Sequence, residues 1–355
     1  MTDFQPGDLI DGRYALEERI GLGGMAAVWR ARDRSDADAV VAVKLLREDF
    51  LKRNPKEAAN NIRRFKRESE ILKLMAGSKH VVQARAAGVT PAGDHYLVME
   101  LLMGEPLRNQ IPRGQRKMGL RTFAWLGRGL VEGLKEIHAQ GVIHRDLSPD
   151  NIFVVRDAEG LPSPKFLDFG IGKGADGKLD QVTQLVTIMG KPQYFSPEQA
   201  RGGDLSASSD VFSLAVILYE MATGGLPLDL HGLPLVASVK RIVGDPPKDL
   251  NATPGGARLP VEVRDILMRG LAKKAEDRPT LDELSAALLA FSEHLDRGEE
   301  FGDGAGAGGS PDRSRTAASE VASGEGVPIT SAEPFLTPSA VMPREFKTEI
   351  GRAHV

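Results

Sequence analysis

One short stretch constrains this chain more than any other. Residues 144–151 read His-Arg-Asp-Leu-Ser-Pro-Asp-Asn, and the triplet Asp-Phe-Gly follows at 168–170, after a short hydrophobic strand. A carboxylate such as Asp146 can orient a hydroxyl group and accept its proton. An amide and a second carboxylate, here Asn151 and Asp168, are oxygen ligands that suit Mg²⁺. Taken alone, an Asp beside a Pro-Asp pair is more often a turn former, but the three residues at this spacing favour the chemical interpretation.

The two motifs together resemble the catalytic loop and the metal-binding turn of eukaryotic-type (Hanks-type) protein kinases, most of all the bacterial Ser/Thr members. The resemblance implies that Asp146 accepts the proton of the substrate hydroxyl, and that Asn151 and Asp168 hold the Mg²⁺ that bridges the phosphates of ATP. It also implies an α+β, bilobal fold, with a small antiparallel β lobe that carries one helix and a larger helical lobe. His144 could be taken for a general base, but in this family it packs beneath the site with Phe169 and Leu72.

A glycine-rich turn follows the strand-like stretch Arg13–Ile20. It has the pattern G-x-G-x-x-A-x-V, with Ala26 where these kinases usually carry a third glycine, so we expect a slightly stiffer lid. Glycines let backbone N–H groups approach phosphates, although such a pattern is often only a flexible turn. The turn precedes a strand and not a helix, which disfavours a dinucleotide-binding fold. The kinase resemblance assigns nine consecutive residues to ATP binding, namely Ile20, Gly21, Leu22, Gly23, Gly24, Met25, Ala26, Ala27 and Val28.

The run Val40–Lys44 has two interpretations. It is either an edge strand with a solvated lysine or the kinase element in which Lys44 neutralises the α and β phosphates. An amphipathic helix is predicted over Ile62–Leu74. In the kinase interpretation, Glu68 of this helix pairs with Lys44 and holds it in position, and Glu70 is the second choice.

The strand predicted over His95–Leu102 resembles the one that enters the kinase hinge. The resemblance implies that Met99 lies behind the adenine ring, and that the Glu100 carbonyl and the Leu102 N–H bind it. The residues expected to sandwich the ring are Ala42, Val28 and Phe153.

The segment Asp168–Glu198 resembles a kinase activation segment. Thr183 and Thr187 are its hydroxyl residues before the closing motif. A phosphate adds about two negative charges, and Arg145 would be its natural counter-ion. We therefore expect regulatory phosphorylation at one of these two threonines.

The end of that segment, residues 190–199, reads Gly-Lys-Pro-Gln-Tyr-Phe-Ser-Pro-Glu-Gln and is similar to a kinase motif. The resemblance implies an ion pair between Glu198 and Arg278, and it implies that Asp210 caps the backbone of the catalytic loop. Apolar periodicity predicts further helices at Thr122–Gln140, Val211–Thr223, Val261–Ala272 and Leu281–Phe291, and strands at Val81–Ala87, Ile152–Val155 and Lys165–Leu167, the last two around a turn at Asp157–Pro164.

Two positions depart from the Ser/Thr kinase pattern. Ser148 stands where these kinases usually carry a lysine that touches the γ-phosphate and the substrate hydroxyl. Lys191 stands where they usually carry a threonine that approaches the catalytic Asp. We hypothesise that Lys191 reaches back to supply the missing ammonium group. The alternative is two independent losses in a weakly active or inactive kinase, and tyrosine stays open as the acceptor because both positions usually mark a Ser/Thr enzyme.

Composition excludes several other classes. The chain has no cysteine, which excludes disulfides, thiol catalysis and Cys-based zinc sites. The net charge is -3, and no basic block suggests a nucleic-acid partner or a membrane surface. The N-terminus lacks the pattern of a signal peptide, and the longest apolar runs are too short to span a bilayer. We expect a cytoplasmic protein with no membrane segment in this chain.

We expect a kinase domain over residues 1–295, with lobes at about 8–102 and 103–295, and a disordered Gly/Ala/Ser/Pro-rich tail over 296–355. The closing residues 349–355 read like a translated sequencing adapter, which predicts a truncated reading frame and leaves a membrane anchor open beyond it. The predicted activity is transfer of the ATP γ-phosphate to Ser or Thr of proteins, including autophosphorylation in trans within a homodimer. The alternatives are a nucleotide-binding pseudokinase scaffold and a small-molecule kinase, although the latter enzymes generally lack the Ser-Pro-Glu motif and its arginine.

Overall fold

The computed structural model describes residues 4–23, 25–36, 39–47, 55–112, 117–169 and 191–297. These residues group into two compact units. Of the described residues, the first unit contains those up to Phe65 together with Arg85–Leu101, and the second contains Lys66–Ala84 and those from Leu102 to Arg297.

Residues 66–84 belong to the second unit. Backbone hydrogen bonds join this stretch to the rest of that unit. The Phe166 N–H donates to the His80 carbonyl (2.7 Å), and the Val82 N–H donates to the Phe166 carbonyl (3.1 Å). Val81 forms only an isolated bridge to Phe166, so the strand expected over Val81–Ala87 is wrong in its first half and runs instead over Ala84–Val89.

The first unit is built on a six-stranded sheet with the order β1-β2-β3-β4-β6-β5. Its strands are β1 (Leu9–Ile10), β2 (Tyr14–Leu22), β3 (Ala26–Asp33), β4 (Val40–Leu46), β5 (Ala84–Val89) and β6 (His95–Glu100). Neighbouring strands pair antiparallel from β1 to β4, and β4 pairs antiparallel with β6. The β-branched, apolar run of β4 is typical of a central strand, and every residue from Val41 to Leu46 is buried.

The second unit is mainly helical. Its helices are α2 (Leu107–Gln110), α3 (Leu120–Ala139), α4 (Pro197–Ala200), α5 (Ala207–Thr223), α6 (Leu235–Gly244), α7 (Val261–Gly270) and α8 (Leu281–Asp296), and α1 (Pro55–Leu74) passes from the first unit into it. Helix α5 is buried along almost its whole length, as its apolar sequence predicts. Two helices begin with a capping box, Ser206 with Ser209 at α5 and Thr280 with Glu283 at α8.

The second unit also contains a small antiparallel sheet, and the residues predicted to be catalytic lie next to its strands. It consists of β7 (Gly104–Pro106), β8 (Ile152–Arg156) and β9 (Pro162–Phe166) in that order. Strand β9 begins before the expected Lys165, because its two prolines lie on an edge strand, where a missing backbone donor is tolerated. The turn is correspondingly shorter than Asp157–Pro164 and is closed by Asp157, whose side chain accepts the Leu161 N–H (2.7 Å).

Helix α3 fixes this hairpin from one side. The helix approaches β9 at Gly129 and Gly133, where an added Cβ atom would lie 2.6 Å from Pro164 and from Phe166 respectively. Glycine is therefore required there by close approach, and the α3–β9 contact sets the position of the strands that flank the catalytic loop.

Candidate active site

The candidate catalytic loop, residues 144–151, is held by hydrogen bonds to its backbone. The buried carboxylate of Asp210 accepts the N–H groups of His144 (2.7 Å) and Arg145 (2.9 Å). Gln199 donates its side-chain amide to the Arg145 carbonyl (2.8 Å). Arg145 has a φ of 65°, a left-handed conformation that a non-glycine residue keeps only when its surroundings impose it. The prediction that Asp210 caps the loop backbone is confirmed.

Asp146 and Asn151 are joined within this loop. The Asn151 side-chain amide donates to the Asp146 backbone carbonyl (2.8 Å) and to the Asp146 carboxylate (3.1 Å). These bonds use the amide nitrogen, so the amide oxygen of Asn151 is the atom that can bind a cation. One side chain thus orients the carboxylate and carries a hard oxygen ligand of its own.

The hairpin brings Asp168 to the same end as Asn151. Asn151 immediately precedes β8, and Asp168 follows β9 by two residues. The strands are antiparallel, and the Leu167 N–H donates to the Asn151 carbonyl (2.9 Å). Asp168 is exposed, whereas Phe169 is buried.

His144 lies beneath this group as a packing residue. Its ring centroid is 4.9 Å from that of Phe169 and 5.7 Å from that of Phe166, and the side chain is fully buried. The prediction that His144 packs against Phe169 is confirmed.

The residues at this end of the hairpin fit a magnesium ion. Carboxylate and amide oxygens are its preferred protein ligands, and it usually takes only one or two carboxylates and completes its shell with water and substrate phosphates. Within the described ranges no group of three or more His, Cys, Asp or Glu side chains could hold a metal by itself. Asn151 and Asp168 match the smaller ligand set.

The motif at 196–199 is anchored by a buried ion pair, as predicted. Arg278 donates to both carboxylate oxygens of Glu198 (2.7 and 2.8 Å), and the Ser209 hydroxyl donates to the same carboxylate (2.7 Å). Burial alone would raise the pKa of Glu198, but the hydrogen bonds from Arg278 and Ser209 outweigh it and lower this pKa to about 2. The predicted Glu198–Arg278 pair is confirmed.

Lys191 also contacts the candidate catalytic loop. Its ammonium group pairs with the carboxylate of Asp150, the residue before Asn151. Arg108 of α2 approaches the same carboxylate (3.5 Å) and pairs with Glu220 of α5 (2.6 Å). The structure therefore places the ammonium group of Lys191 beside the loop, at the carboxylate of Asp150.

Arg108 and Glu220 have a third partner in Tyr194. The Tyr194 hydroxyl donates to Glu220 (2.6 Å) and accepts a hydrogen bond from Arg108. Burial and the charge of Glu220 both raise the pKa of Tyr194, so the phenol stays protonated. Arg108 and Glu220 could not be predicted from the sequence, because neither belongs to a recognisable motif. Tyr194 lay within the motif that closes the segment but received no role.

The first unit contains most of the residues assigned to the nucleotide. Lys44 is buried in β4, and in the register of the sheet it lies opposite Val28 and Leu97 of the neighbouring strands. The glycine-rich turn joins β2 to β3, and the Gly23 N–H donates to the Ala26 carbonyl (2.8 Å). The other nucleotide candidates in this unit lie in β2, β3, β4 and β6 and in the turn: Ile20, Gly21, Leu22, Met25, Ala27, Ala42, Met99 and Glu100.

The remaining candidates divide between the second unit and undescribed positions. Glu68, Leu102 and Phe153 lie in the second unit, and all three are buried. The candidates outside the described residues are Gly24, Thr183 and Thr187.

The known proteins and the family model that this chain resembles are all protein kinases. The family model for the protein kinase domain matches residues 14–288. The chain is 33% identical to serine/threonine-protein kinase pkn3 of Myxococcus xanthus, over 81% of this chain and 51% of that protein. It is 35% identical to serine/threonine-protein kinase PknA of Mycobacterium tuberculosis, over 75% of this chain and 58% of that protein. The chain thus spans about half the length of the curated relatives it matches.

Solved structures support the fold. A crystal structure of a mutant PknI kinase domain of Mycobacterium tuberculosis superposes with a TM-score of 0.58 and 19% identity, and it covers 82% of this chain and 100% of that one. This likeness confirms the predicted α+β fold with a curled antiparallel sheet and a helical part. A search of the described helices finds none that is long and apolar enough to cross a membrane.

Proposed function

The chain belongs to the protein kinase family, and on that premise we propose that it transfers the γ-phosphate of ATP to serine or threonine residues of proteins. The relatives it matches carry the name of serine/threonine-protein kinases from bacteria. The observation that carries the proposal is the catalytic loop, in which Asn151 orients the carboxylate of Asp146 and presents its own amide oxygen.

The chemistry follows from the groups on this loop. The acceptor hydroxyl oxygen forms a bond to the γ-phosphorus, while the bond from that phosphorus to the β–γ bridging oxygen breaks and ADP leaves with the electron pair. Asp146 accepts the proton of the acceptor hydroxyl, and the hydrogen bond from Asn151 keeps its carboxylate oriented. Asn151 and Asp168 would hold Mg²⁺, which when bound neutralises charge on the phosphates.

The first unit supplies the nucleotide-binding residues in this proposal. Lys44 neutralises the α and β phosphates, and the turn at 21–28 presents its N–H groups to them. Glu68 serves as the partner that positions Lys44, and the burial of both side chains supports an internal role for each. Met99, Glu100 and Leu102 recognise adenine.

Regulation and location complete the proposal. Autophosphorylation at Thr183 or Thr187, in trans between two copies, would add a phosphate for which Arg145 is the counter-ion. Protein substrates and ATP are supplied in the cytoplasm, where we place this domain.

The proposal is tested by incubating the purified chain with ATP and Mg²⁺, together with a general protein substrate, and mapping phosphosites by mass spectrometry. We expect phosphoserine and phosphothreonine in the wild type, and a loss of at least about 10³-fold in Asp146→Asn, because the variant keeps the shape of the side chain and loses the proton acceptor. A thermal shift with ATP in both proteins verifies folding and binding.

Three results would redirect the proposal. Binding of ATP without transfer would identify a pseudokinase. Transfer to small molecules alone would identify a different class of kinase. Phosphotyrosine in place of phosphoserine and phosphothreonine would change the acceptor.

A further inference from the structure

We propose that Lys191 supplies the ammonium group that stabilises the transferring phosphoryl group, and that Asp150 holds this group on the catalytic loop between turnovers. This inference rests on the proposed kinase activity. The loop at 144–151 contains no lysine, and Lys191 lies 45 positions downstream of Asp146.

The first observation is the state of Ser148. Its side chain is only 2% exposed, and its hydroxyl oxygen has no hydrogen-bond partner among the described residues. Buried hydroxyl groups are almost always paired, because an unpaired one costs free energy. Ser148 lies two residues from Asp146 and two from Asp150 along the loop, so the position where these kinases usually carry a lysine holds a buried hydroxyl group and no charge.

The second observation is that Asp150 has two cations beside it. The Lys191 ammonium group pairs with it, and the Arg108 guanidinium lies 3.5 Å from the same carboxylate oxygen. Arg108 is held in place by Glu220 and Tyr194. When Lys191 moves away, Asp150 therefore keeps a positive neighbour, and the move leaves no isolated charge behind.

The third observation is that the backbone of Lys191 is fixed, whereas its side chain is partly exposed. Its carbonyl accepts the Tyr194 N–H (3.0 Å), and the Tyr194 carbonyl in turn accepts the Ser213 hydroxyl of α5 (2.7 Å). The backbone is thus fixed to a buried helix. The side chain is 36% exposed, against 23% for Arg108, so Lys191 is the less confined of the two cations. Ion pairs between a partly exposed lysine and a carboxylate contribute little to stability, so a change of partner for Lys191 requires little free energy.

The chemical step requires no proton from Lys191. The ammonium group donates a hydrogen bond to a γ-phosphoryl oxygen while the acceptor oxygen bonds to phosphorus and the bond to the ADP oxygen breaks. The acceptor proton goes to Asp146, and Lys191 stays charged throughout. A donor aimed at developing charge of this kind is typically worth 10²–10³ in kcat.

The test compares four proteins. Lys191→Met keeps the length of the side chain and removes its charge. Ser148→Lys combined with Lys191→Thr returns the ammonium group to the loop itself. Lys135→Met is the matched control, because Lys135 also forms a lysine–carboxylate pair, with Asp282, and is 35% exposed.

We expect Lys191→Met to lower kcat by about 10²-fold with KM for ATP nearly unchanged, since the contact exists mainly in the transition state. The double variant should recover most of the lost kcat, whereas Lys135→Met should match the wild type. If Lys191 had only a structural role, a lysine at position 148 would not restore kcat.

Two outcomes overturn the inference. One is a wild-type kcat in Lys191→Met, and the other is a loss that the double variant does not recover although its thermal transition is intact. Wild-type transfer that disappears in Asp146→Asn shows that the kinase proposal survives either outcome. A wild type that transfers no phosphate refutes the kinase proposal and this inference with it.

Discussion

Glu198 and Lys191 lie seven residues apart, and each forms an ion pair within the second unit, but the two pairs are built differently. Glu198 receives both arms of the Arg278 guanidinium, and the Arg278 side chain is 0% exposed. Arg278 also donates to the carbonyls of Ala272 and Ser208 (2.9 and 2.8 Å). Every part of this pair is fixed by several bonds.

Lys191 makes a simpler contact. Its ammonium group is a compact charge on a flexible chain, it is partly exposed, and its partner Asp150 has a second cation nearby. Arginine's planar fork suits a permanent bidentate bond, and lysine's point charge suits exchange between partners. One short segment therefore carries a fixed ion pair at Glu198, the anchor, and at Lys191 a cation that we propose to be exchangeable.

The largest expected effect comes from breaking the anchor. Arg278→Met should lower the free energy of unfolding of the second unit by about 3–5 kcal/mol, because it leaves the largely buried carboxylate of Glu198 without its counter-ion. Urea denaturation followed by circular dichroism measures this change. Lys135→Met is the control for losing a surface pair, and a similar small loss in both variants would contradict the description of Arg278 as an anchor.

A smaller effect is expected from acid. The pKa of Glu198 is lowered in the folded chain from its ordinary value near 4.5 to about 2. A lowered carboxyl pKa means that the stabilisation is fully present above about pH 4.5 and is lost as the pH falls toward 2. A shift of this size corresponds to about 3 kcal/mol at most.

The measurement is the difference in unfolding free energy between the wild type and Glu198→Gln, from pH 6 down to pH 3. This difference should be constant above about pH 4.5 and should shrink below it. A difference that stays the same down to pH 3 would show that Glu198 is not held in its charged form by Arg278.

The anchor could be predicted from the sequence, and the surroundings of the exchangeable cation could not. Glu198, Arg278 and Asp210 belong to motifs that resemble those of protein kinases, the resemblance implies their contacts, and the structure confirms them. Arg108 and Glu220 carry no such signal. They reach Asp150 and Tyr194 only because α2 and α5 meet the catalytic loop in the folded chain.

Local patterns also failed where the position within the sheet decided the outcome. Pro162 and Pro164 predict a turn, yet both lie in β9, because an edge strand tolerates a missing N–H. Helix α6 was not among the predicted helices, although the structure places it at Leu235–Gly244. Gly129 and Gly133 are interior helical glycines whose purpose appears only when β9 packs against them.

The smallest expected effect is the most informative for the comparison. Lys191→Met should lower the free energy of unfolding by no more than about 1 kcal/mol, because the pair is partly exposed and Arg108 continues to compensate Asp150. The same urea experiment measures it, with Lys191→Arg as the variant that keeps the charge. A loss as large as that of Arg278→Met would make Lys191 a second anchor and remove the distinction between the two pairs. A small loss of stability beside a large loss of kcat would instead assign the charge of Lys191 to phosphoryl transfer and not to the fold.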